Sequence, residues 1–132
     1  MFIFRIETPQ GHGLYRCRAM EYIRANYTDN PSPSIEPELG WECIANFSDY
    51  YFGFGSLSQA ARWFGGYSHL GDALQESDAI MAVYECSNEH ARVSESQAIF
   101  IKKNAKLISR HTSLKRLSKL FGHISPEWLL PR

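Results

Sequence analysis

The sequence predicts an α+β domain in which short helices pack on a mostly antiparallel, twisted sheet. Residues 50–54 place an aromatic side chain at every second position, and this period of two is typical of a strand. Residues 57–64 carry apolar side chains at helical spacing, and residues 79–86 form an almost continuous apolar run, which favours a central strand. A strand-to-helix unit and a buried strand within 132 residues favour one mixed domain.

Local signals predict the first elements of the chain. Residues 2–7 alternate as a first strand, and a glycine-containing turn at 10–13 leads into a second extended segment at 14–18. A short helix is expected over residues 19–25. Prolines, with Ser, Asn and Asp between them, predict a long loop over residues 26–40, and loops of this length in small domains are often functional.

The later elements are predicted in the same way. Residues 41–45 favour either a strand or a helical turn, and residues 68–76 favour a second short helix. We expect a single strand over residues 93–101 and a shorter strand over 105–108. Ser113 is expected to cap a last helix with an apolar stripe.

The corner between the aromatic strand and its helix carries the sharpest local signal. Ser56 is a predicted N-cap with Gln59 three residues later, the spacing of a capping box, and Gly65-Gly66 is expected to end the helix. Gly53 and Gly55 interrupt the strand pattern, and glycine there indicates a bulge or a close approach to the backbone. Two interpretations follow: the aromatic side chains belong to the core, or a flat ligand lies against the glycines.

Length and composition indicate one globular domain over residues 1–132, with a sheet-containing core at 1–108 and a basic helical extension at 109–132. The opening residues lack the regions of a secretory signal, so we expect a protein of the bacterial cytoplasm with no membrane partner. The three cysteines are widely spaced and predicted to be reduced. The histidines show no ligand spacing, so we expect no metal.

The charge is distributed unevenly along the chain. Residues 1–98 hold 6 arginines against 13 acids, a net charge of −7, whereas residues 99–132 hold 8 basic residues against one acid, a net charge of +7. Residues 102–119 contain seven basic side chains and no acid. This segment either binds nucleic acid or docks on the acidic body of the same chain or of a second copy.

Three arginines near the amino terminus are candidate anion ligands. Arg5 lies between large apolar residues of the first strand, where an arginine either faces water at an edge or holds an anion. Arg16 and Arg18 are two positions apart and share a face of the predicted second strand. These two side chains either bind phosphate or balance nearby carboxylates.

Four segments together carry a resemblance to a known family. They are residues 4–5, residues 54–58 entering a helix, residues 95–100, and residues 106–108. Their order resembles the three-part layout of ADP-ribosyltransferase-type domains. The resemblance implies an ADP-ribosyltransferase-like fold and a pocket for NAD or another nucleotide that contains ADP-ribose.

The resemblance also implies roles for individual residues. In the family, an Arg or His on the first strand contacts NAD, and a Ser-containing corner orders the nicotinamide pocket. Arg5 would therefore hold the pyrophosphate with Arg16 nearby, Phe54 would pack on a flat base, and Ser56 would orient the corner.

Gln97 stands where the resemblance implies a catalytic glutamate. A carboxylate there would stabilise the positive charge that develops on the sugar, and glutamine supplies no charge. Glu95, two positions earlier, is the alternative catalytic candidate on the same face of the predicted strand. Catalysis is therefore left open, and we expect weak or absent turnover.

The chain also resembles small phage and prophage proteins that carry a Phe-Gly-Phe-x-Ser-Leu-x-Gln segment, here at residues 52–59. The leading hypothesis is a phage-type accessory protein with a nucleotide pocket. The first alternative is a non-enzymatic inhibitor or adaptor that binds a bacterial host protein, as anti-defence proteins do. The second alternative is nucleic-acid binding through the basic segment.

Overall fold

A computed structural model of the chain describes residues 1–14, 17–22, 37–40 and 49–121. Within these ranges the fold is α+β, as predicted, with six strands and three α-helices. The strands and helices, in chain order, are β1 (Phe2–Glu7), β2 (Tyr50–Gly53), α1 (Leu57–Trp63), α2 (Tyr67–Glu76), β3 (Ile80–Glu85), β4 (Ala91–Val93), β5 (Ala98–Ile101), β6 (Lys106–His111) and α3 (Leu114–Phe121). Short 3-10 turns add Arg18–Tyr22, Pro37–Leu39, Asn88–His90 and Lys102–Asn104.

The described strands form two small antiparallel sheets rather than the one sheet that the sequence predicts. The first has the order β1-β3-β6, which confirms β3 as a central strand, and the second has the order β2-β5-β4. One bridge joins the sheets: Phe4 N donates to Phe54 O at 2.8 Å, and Phe54 N donates to Phe4 O at 2.7 Å. The pairing stops there because the chain turns into α1 at Ser56.

Strand β1 divides the interior into two layers. Phe4 and Ile6 point into the main apolar core, which the three helices cover, whereas Ile3 points into a second cluster with Tyr84 and Phe100. Because side chains alternate along a strand, Arg5 lies on the Ile3 face. The two faces of β1 therefore carry different surroundings.

The predicted capping of α1 is confirmed. Ser56 Oγ accepts a hydrogen bond from Gln59 N at 3.1 Å, which satisfies an N–H that has no partner inside the helix. Gly65 and Gly66 adopt φ values of 82° and 141°, and Gly66 N donates to Ala61 O at 2.9 Å. Positive φ favours glycine, so this pair ends the helix as expected.

The predicted extended segment at 14–18 is wrong in its described part. Cys17 N donates to Leu14 O at 3.0 Å, and Met20 N donates to Cys17 O at 3.1 Å. These bonds between residues three apart wind the chain into turns, and a 3-10 helix runs from Arg18 to Tyr22. Arg18 therefore starts a helical turn, and Arg16 lies outside the described residues.

The single strand expected over residues 93–101 is wrong as well. The segment is a hairpin, because Ser94 N donates to Gln97 O at 2.8 Å and Ser94 Oγ accepts from Gln97 N at 3.1 Å. A serine side chain that bonds nearby backbone favours such turns. Glu95 and Gln97 therefore lie in the connection between β4 and β5, not on one strand face.

The carboxyl-terminal part of the described chain is continuous with the body. Strand β6 passes the predicted boundary at residue 108 and ends at His111. Helix α3 buries Leu114 and Leu117 in the main core, and Ser113 Oγ accepts from Arg116 N at 3.3 Å, as expected of its cap. The strand or turn predicted at 41–45 lies outside the described residues, as does most of the predicted loop.

Candidate functional site

Arg5 is held by a buried ion pair and a backbone carbonyl. Its Nε donates to Glu7 Oε2 at 2.9 Å, with 6% and 2% of the two side chains exposed. Its Nη1 donates to Phe52 O at 2.8 Å, and the guanidinium lies 5.0 Å from the ring centre of Tyr51. These contacts fix the guanidinium on the Ile3 face of β1.

Glu7 is the centre of a cluster of cations. Tyr84 Oη donates to Glu7 Oε2 at 2.7 Å, Lys102 Nζ lies 3.2 Å from the same oxygen, and Arg110 Nη2 lies 3.5 Å from Oε1. Burial and the Glu7 carboxylate raise the pKa of Tyr84, which stays a neutral hydroxyl. Three cations then face one carboxylate. We call these five residues the Glu7 cluster.

Strand pairing brings the Glu7 cluster together from distant parts of the sequence. Arg5 pairs with Ala82 in β3, and Ala82 pairs with Arg110 in β6, so the two arginines project from one face. Lys102 Nζ lies 5.2 Å and 5.7 Å from the ring centres of Tyr51 and Tyr84. The cluster borders an open depression of about 370 Å³, whose other walls include Gln10, Gly11 and Leu107.

Phe54 belongs to the core. It is fully buried, and its ring centre lies 5.1 Å from that of Phe52 and 5.7 Å from that of Trp63. Side chains of this chain occupy the space over both strand glycines, because a Cβ at Gly53 would lie 2.8 Å from Ile3 and a Cβ at Gly55 would lie 2.8 Å from Val93. The close approach to the backbone that the glycines predict is therefore made by side chains of the same chain, Ile3 and Val93.

The Ser56 corner and the Gln97 turn lie side by side. Gln59 joins them: its Oε1 accepts from Gly55 N at 2.7 Å, and its Nε2 donates to Ser94 O at 2.7 Å. Gln97 is fully buried, whereas the Glu95 side chain is 82% exposed and lies 3.9 Å from Arg62. The structure thus brings together two of the three parts of the predicted pocket.

Arg5, the third part of the predicted pocket, lies apart from Ser56 and Gln97. Ser56 borders a groove with Phe4, on the face of β1 opposite to Arg5. The described contacts of Arg5 lead to the Glu7 cluster, which lies on the other face. The roles implied for Arg5, Arg16, Phe54, Ser56, Glu95 and Gln97 stay predictions.

The groove beside Ser56 is mostly apolar and has a volume of about 650 Å³. Phe121 of α3 forms part of its floor, with its ring centre 5.3 Å from that of Phe2 and 5.5 Å from that of Phe4. We call it the apolar groove and define it by six lining residues: Phe2, Phe4, Leu57, Val93, Leu120 and Phe121.

The basic segment is partly paired with the acidic body. Lys102 and Arg110 contact Glu7, and Lys103 Nζ lies 3.5 Å from Asp49 Oδ2. The other basic residues of this segment are exposed and form no ion pair within the described part of the chain. They are Lys106, Lys115, Arg116 and Lys119.

The described cysteines and acids offer little for metal or nucleophilic chemistry. Cys17 and Cys86 are free thiols in the interior, and burial raises the pKa of both. Cys43 lies outside the described residues. Among residues that the structure describes, no group of three or more His, Cys, Asp or Glu side chains is placed to hold a metal ion. No described helix is long and apolar enough to cross a membrane.

Sequence reasoning missed Glu7 and Tyr84 as site residues, and it identified Lys102 and Arg110 only as members of the basic segment, without their common partner. One signal was present, because Arg5 and Glu7 are two positions apart on a predicted strand and so share a face. The remaining members come from β3, β6 and the turn before β6. Their convergence depends on strand order, which local patterns do not contain.

Comparison with known proteins identifies the family of the chain. No curated protein and no solved structure matches it. The ADP-ribosyltransferase-like architecture accordingly stays a prediction. One family model, described as the bacteriophage T4 Y00F protein, matches residues 1–114. That range contains the whole Glu7 cluster and most of the apolar groove. The chain is a phage protein and belongs to the bacteriophage T4 Y00F protein family.

Proposed function

We propose that this phage protein is a non-enzymatic accessory protein that binds a protein of the bacterial host cytoplasm through the apolar groove. The observation that carries the proposal is a mostly apolar groove whose bordering side chains include large apolar residues that reach solvent. Phe2, Val93 and Leu120 are 41%, 39% and 58% exposed, although each borders the groove. Exposed apolar patches bordered by polar residues are typical of protein-binding surfaces.

The surroundings of the groove favour one kind of partner. Leu120 also borders a second depression, of about 460 Å³, whose other walls include Lys115, Arg116 and Lys119. An apolar surface thus continues into a basic one along α3. An amphipathic helix matches this combination, with its apolar face in the groove and acidic residues beside α3.

The aromatic lining of the groove supports protein docking. Its aromatic lining is formed by Phe2, Phe4 and Phe121, and aromatic residues are enriched in protein interfaces. The ring of Phe121 packs edge to face on the rings of Phe2 and Phe4, so contacts within the protein already position this lining. A pre-formed surface binds with a smaller loss of side-chain entropy.

The test compares two leucine-to-aspartate variants that introduce the same charge at different surfaces. Leu120→Asp alters the apolar groove, and Leu107→Asp alters β6, where Leu107 is 47% exposed. A host protein retained by the immobilised wild type is purified, and its affinity for each variant is measured by calorimetry. We expect Leu120→Asp to abolish binding and Leu107→Asp to preserve it. Equal binding by Leu120→Asp and wild type would refute the proposal, as would the absence of any retained host protein.

NAD binding at the Ser56 corner is the hypothesis that the resemblance implies. Its test is a titration with NAD that records the melting temperature and the release of nicotinamide. A stabilising shift that Ser56→Ala weakens, with retained stability of the free variant, would support the hypothesis. The absence of any shift would end it.

Nucleic-acid binding predicts a gel shift that fades as salt rises from low to physiological concentration.

A further inference from the structure

We propose that the depression beside the Glu7 cluster binds the phosphate groups of a small nucleotide. The depression lies on the face of β1 opposite to the apolar groove. The two sites therefore involve different residues, and each is tested by its own variants.

The charge balance of the Glu7 cluster favours an anion. Arg5, Lys102 and Arg110 supply three positive charges, and Glu7 supplies one negative charge. Tyr84 adds none, because it is a neutral hydroxyl that donates a hydrogen bond to Glu7. Two positive charges remain beside an open depression, where a bound phosphate would neutralise them.

Lys102 and Arg110 keep hydrogen-bond donors for a ligand. The lysine ammonium has three N–H donors and the guanidinium has five, and each group has a single ion-pair contact with Glu7 in the described part of the chain. Their side chains are 28% and 39% exposed, so both reach solvent at the wall of the depression. Arg5 is buried, and its hydrogen bond to Glu7 holds the carboxylate in place.

The Glu7 carboxylate does not block an anion, because its oxygens already accept from the cluster. Oε2 accepts hydrogen bonds from Arg5 Nε and from the Tyr84 hydroxyl, and Oε1 lies 3.5 Å from Arg110 Nη2. This carboxylate fixes the cations at a common point, whereas free lysine and arginine side chains would repel each other. A pre-organised set of donors binds phosphate more tightly than mobile side chains do.

The shape of the depression favours a small molecule over a nucleic-acid strand. Its volume of about 370 Å³ lies within the usual range for small-ligand pockets. Gly11 borders it without a side chain, and a Cβ there would lie 3.9 Å from Lys102 Nζ. A strand of nucleic acid would instead require a longer basic track with stacking aromatic rings.

The experiment is a calorimetric titration of the full chain with ADP, inorganic pyrophosphate, adenosine and a short single-stranded oligonucleotide. We expect ADP and pyrophosphate to bind and adenosine to give no signal. Lys102→Gln with Arg110→Gln should weaken ADP binding by about tenfold or more, since hydrogen bonds to charged groups are lost. The matched control is Lys115→Gln with Lys119→Gln, which removes two positive charges from α3.

Three results would overturn the inference. One is the absence of binding by ADP and pyrophosphate to the wild type. Another is an equal loss of ADP affinity in the control pair, which would indicate general attraction by the basic surface. The third is a preference for the oligonucleotide that both double variants weaken equally. Thermal unfolding of each variant confirms that the comparison is made between folded proteins.

Discussion

Arg5 Nε and Glu7 Oε2 lie 2.9 Å apart on one face of β1, and hardly any of either side chain reaches solvent. The pair lies between the two sheets, because Arg5 also donates to the carbonyl of Phe52 in β2. A contact between residues two apart in sequence thereby becomes a link between separate strands. Its removal should affect the fold as a whole.

Replacing Glu7 with glutamine should destabilise the protein strongly. The substitution keeps the size of the side chain but leaves three cations without their shared carboxylate, so we expect a loss of about 3 kcal/mol or more in the free energy of unfolding. Urea denaturation measures the change. Glu76→Gln at the exposed end of α2 is the control and should have little effect. A loss below about 1 kcal/mol would contradict the structural role of Glu7.

Alanine at two glycines should have opposite effects. A Cβ at Gly13 would lie 2.8 Å from Arg5 Nη2, and that guanidinium cannot yield because Glu7 and Phe52 hold it. Gly13→Ala should therefore cost about 1–3 kcal/mol. Gly71→Ala should stabilise by about 0.5–1 kcal/mol, since alanine favours a helix. Its Cβ would meet Leu114 at an ordinary 3.7 Å. Equal melting temperatures for the two variants would contradict the expected opposite effects.

Gln59→Ala should loosen the connection between the Ser56 corner and the hairpin after β4. The amide of Gln59 satisfies Gly55 N, Ser94 O and Glu95 O, and truncation leaves these groups without that partner. We expect a loss of about 1–3 kcal/mol and faster amide exchange at Gly55. Gln75→Ala, on the exposed face of α2, is the matched control. Unchanged exchange at Gly55 would show that Gln59 does not hold the corner.

Mild acidification should make the protein less stable, because the folded state disfavours the protonated form of His111. Burial and the nearby Arg116 lower the pKa of His111 in the folded state. The unfolded chain then binds the proton more tightly, so the free energy of unfolding falls as the pH drops below about 6.5. His111→Gln should flatten this dependence, whereas His90→Gln, at the surface beside Ser87, should retain it. The check is denaturation at a series of pH values, and an unchanged slope in His111→Gln would contradict the assignment.

Local patterns predicted the elements whose signals lie within a few residues. The cap at Ser56, the glycine pair that ends α1 and the burial of β3 follow from spacing alone, and the structure confirms them. The hairpin at 94–97 was missed because Ser94 closes the turn with its side chain, whereas the apolar pattern continues on both sides. A side-chain hydrogen bond to the backbone can therefore interrupt a strand even though the apolar pattern of the sequence continues.

The candidate sites depend on relationships that a single sequence does not contain. Arg5 was singled out as a candidate anion ligand, but the convergence of Lys102 and Arg110 on its ion-pair partner Glu7 depends on strand order. Leu120 joins the groove because Phe121 packs on Phe2 and Phe4 of β1. Such contacts between distant segments follow from topology rather than from local periodicity.

The alternation along β1 sets a strict condition on how this family can change. Its even positions supply the aromatic floor, and its odd positions supply the salt-bridged layer. Inserting or deleting one residue within the strand would exchange the two sets. Charged side chains would then lie in the aromatic layer, and aromatic rings would lie in the salt-bridged layer. Relatives that keep this architecture should therefore vary in the connections after β1 while the strand itself keeps its length.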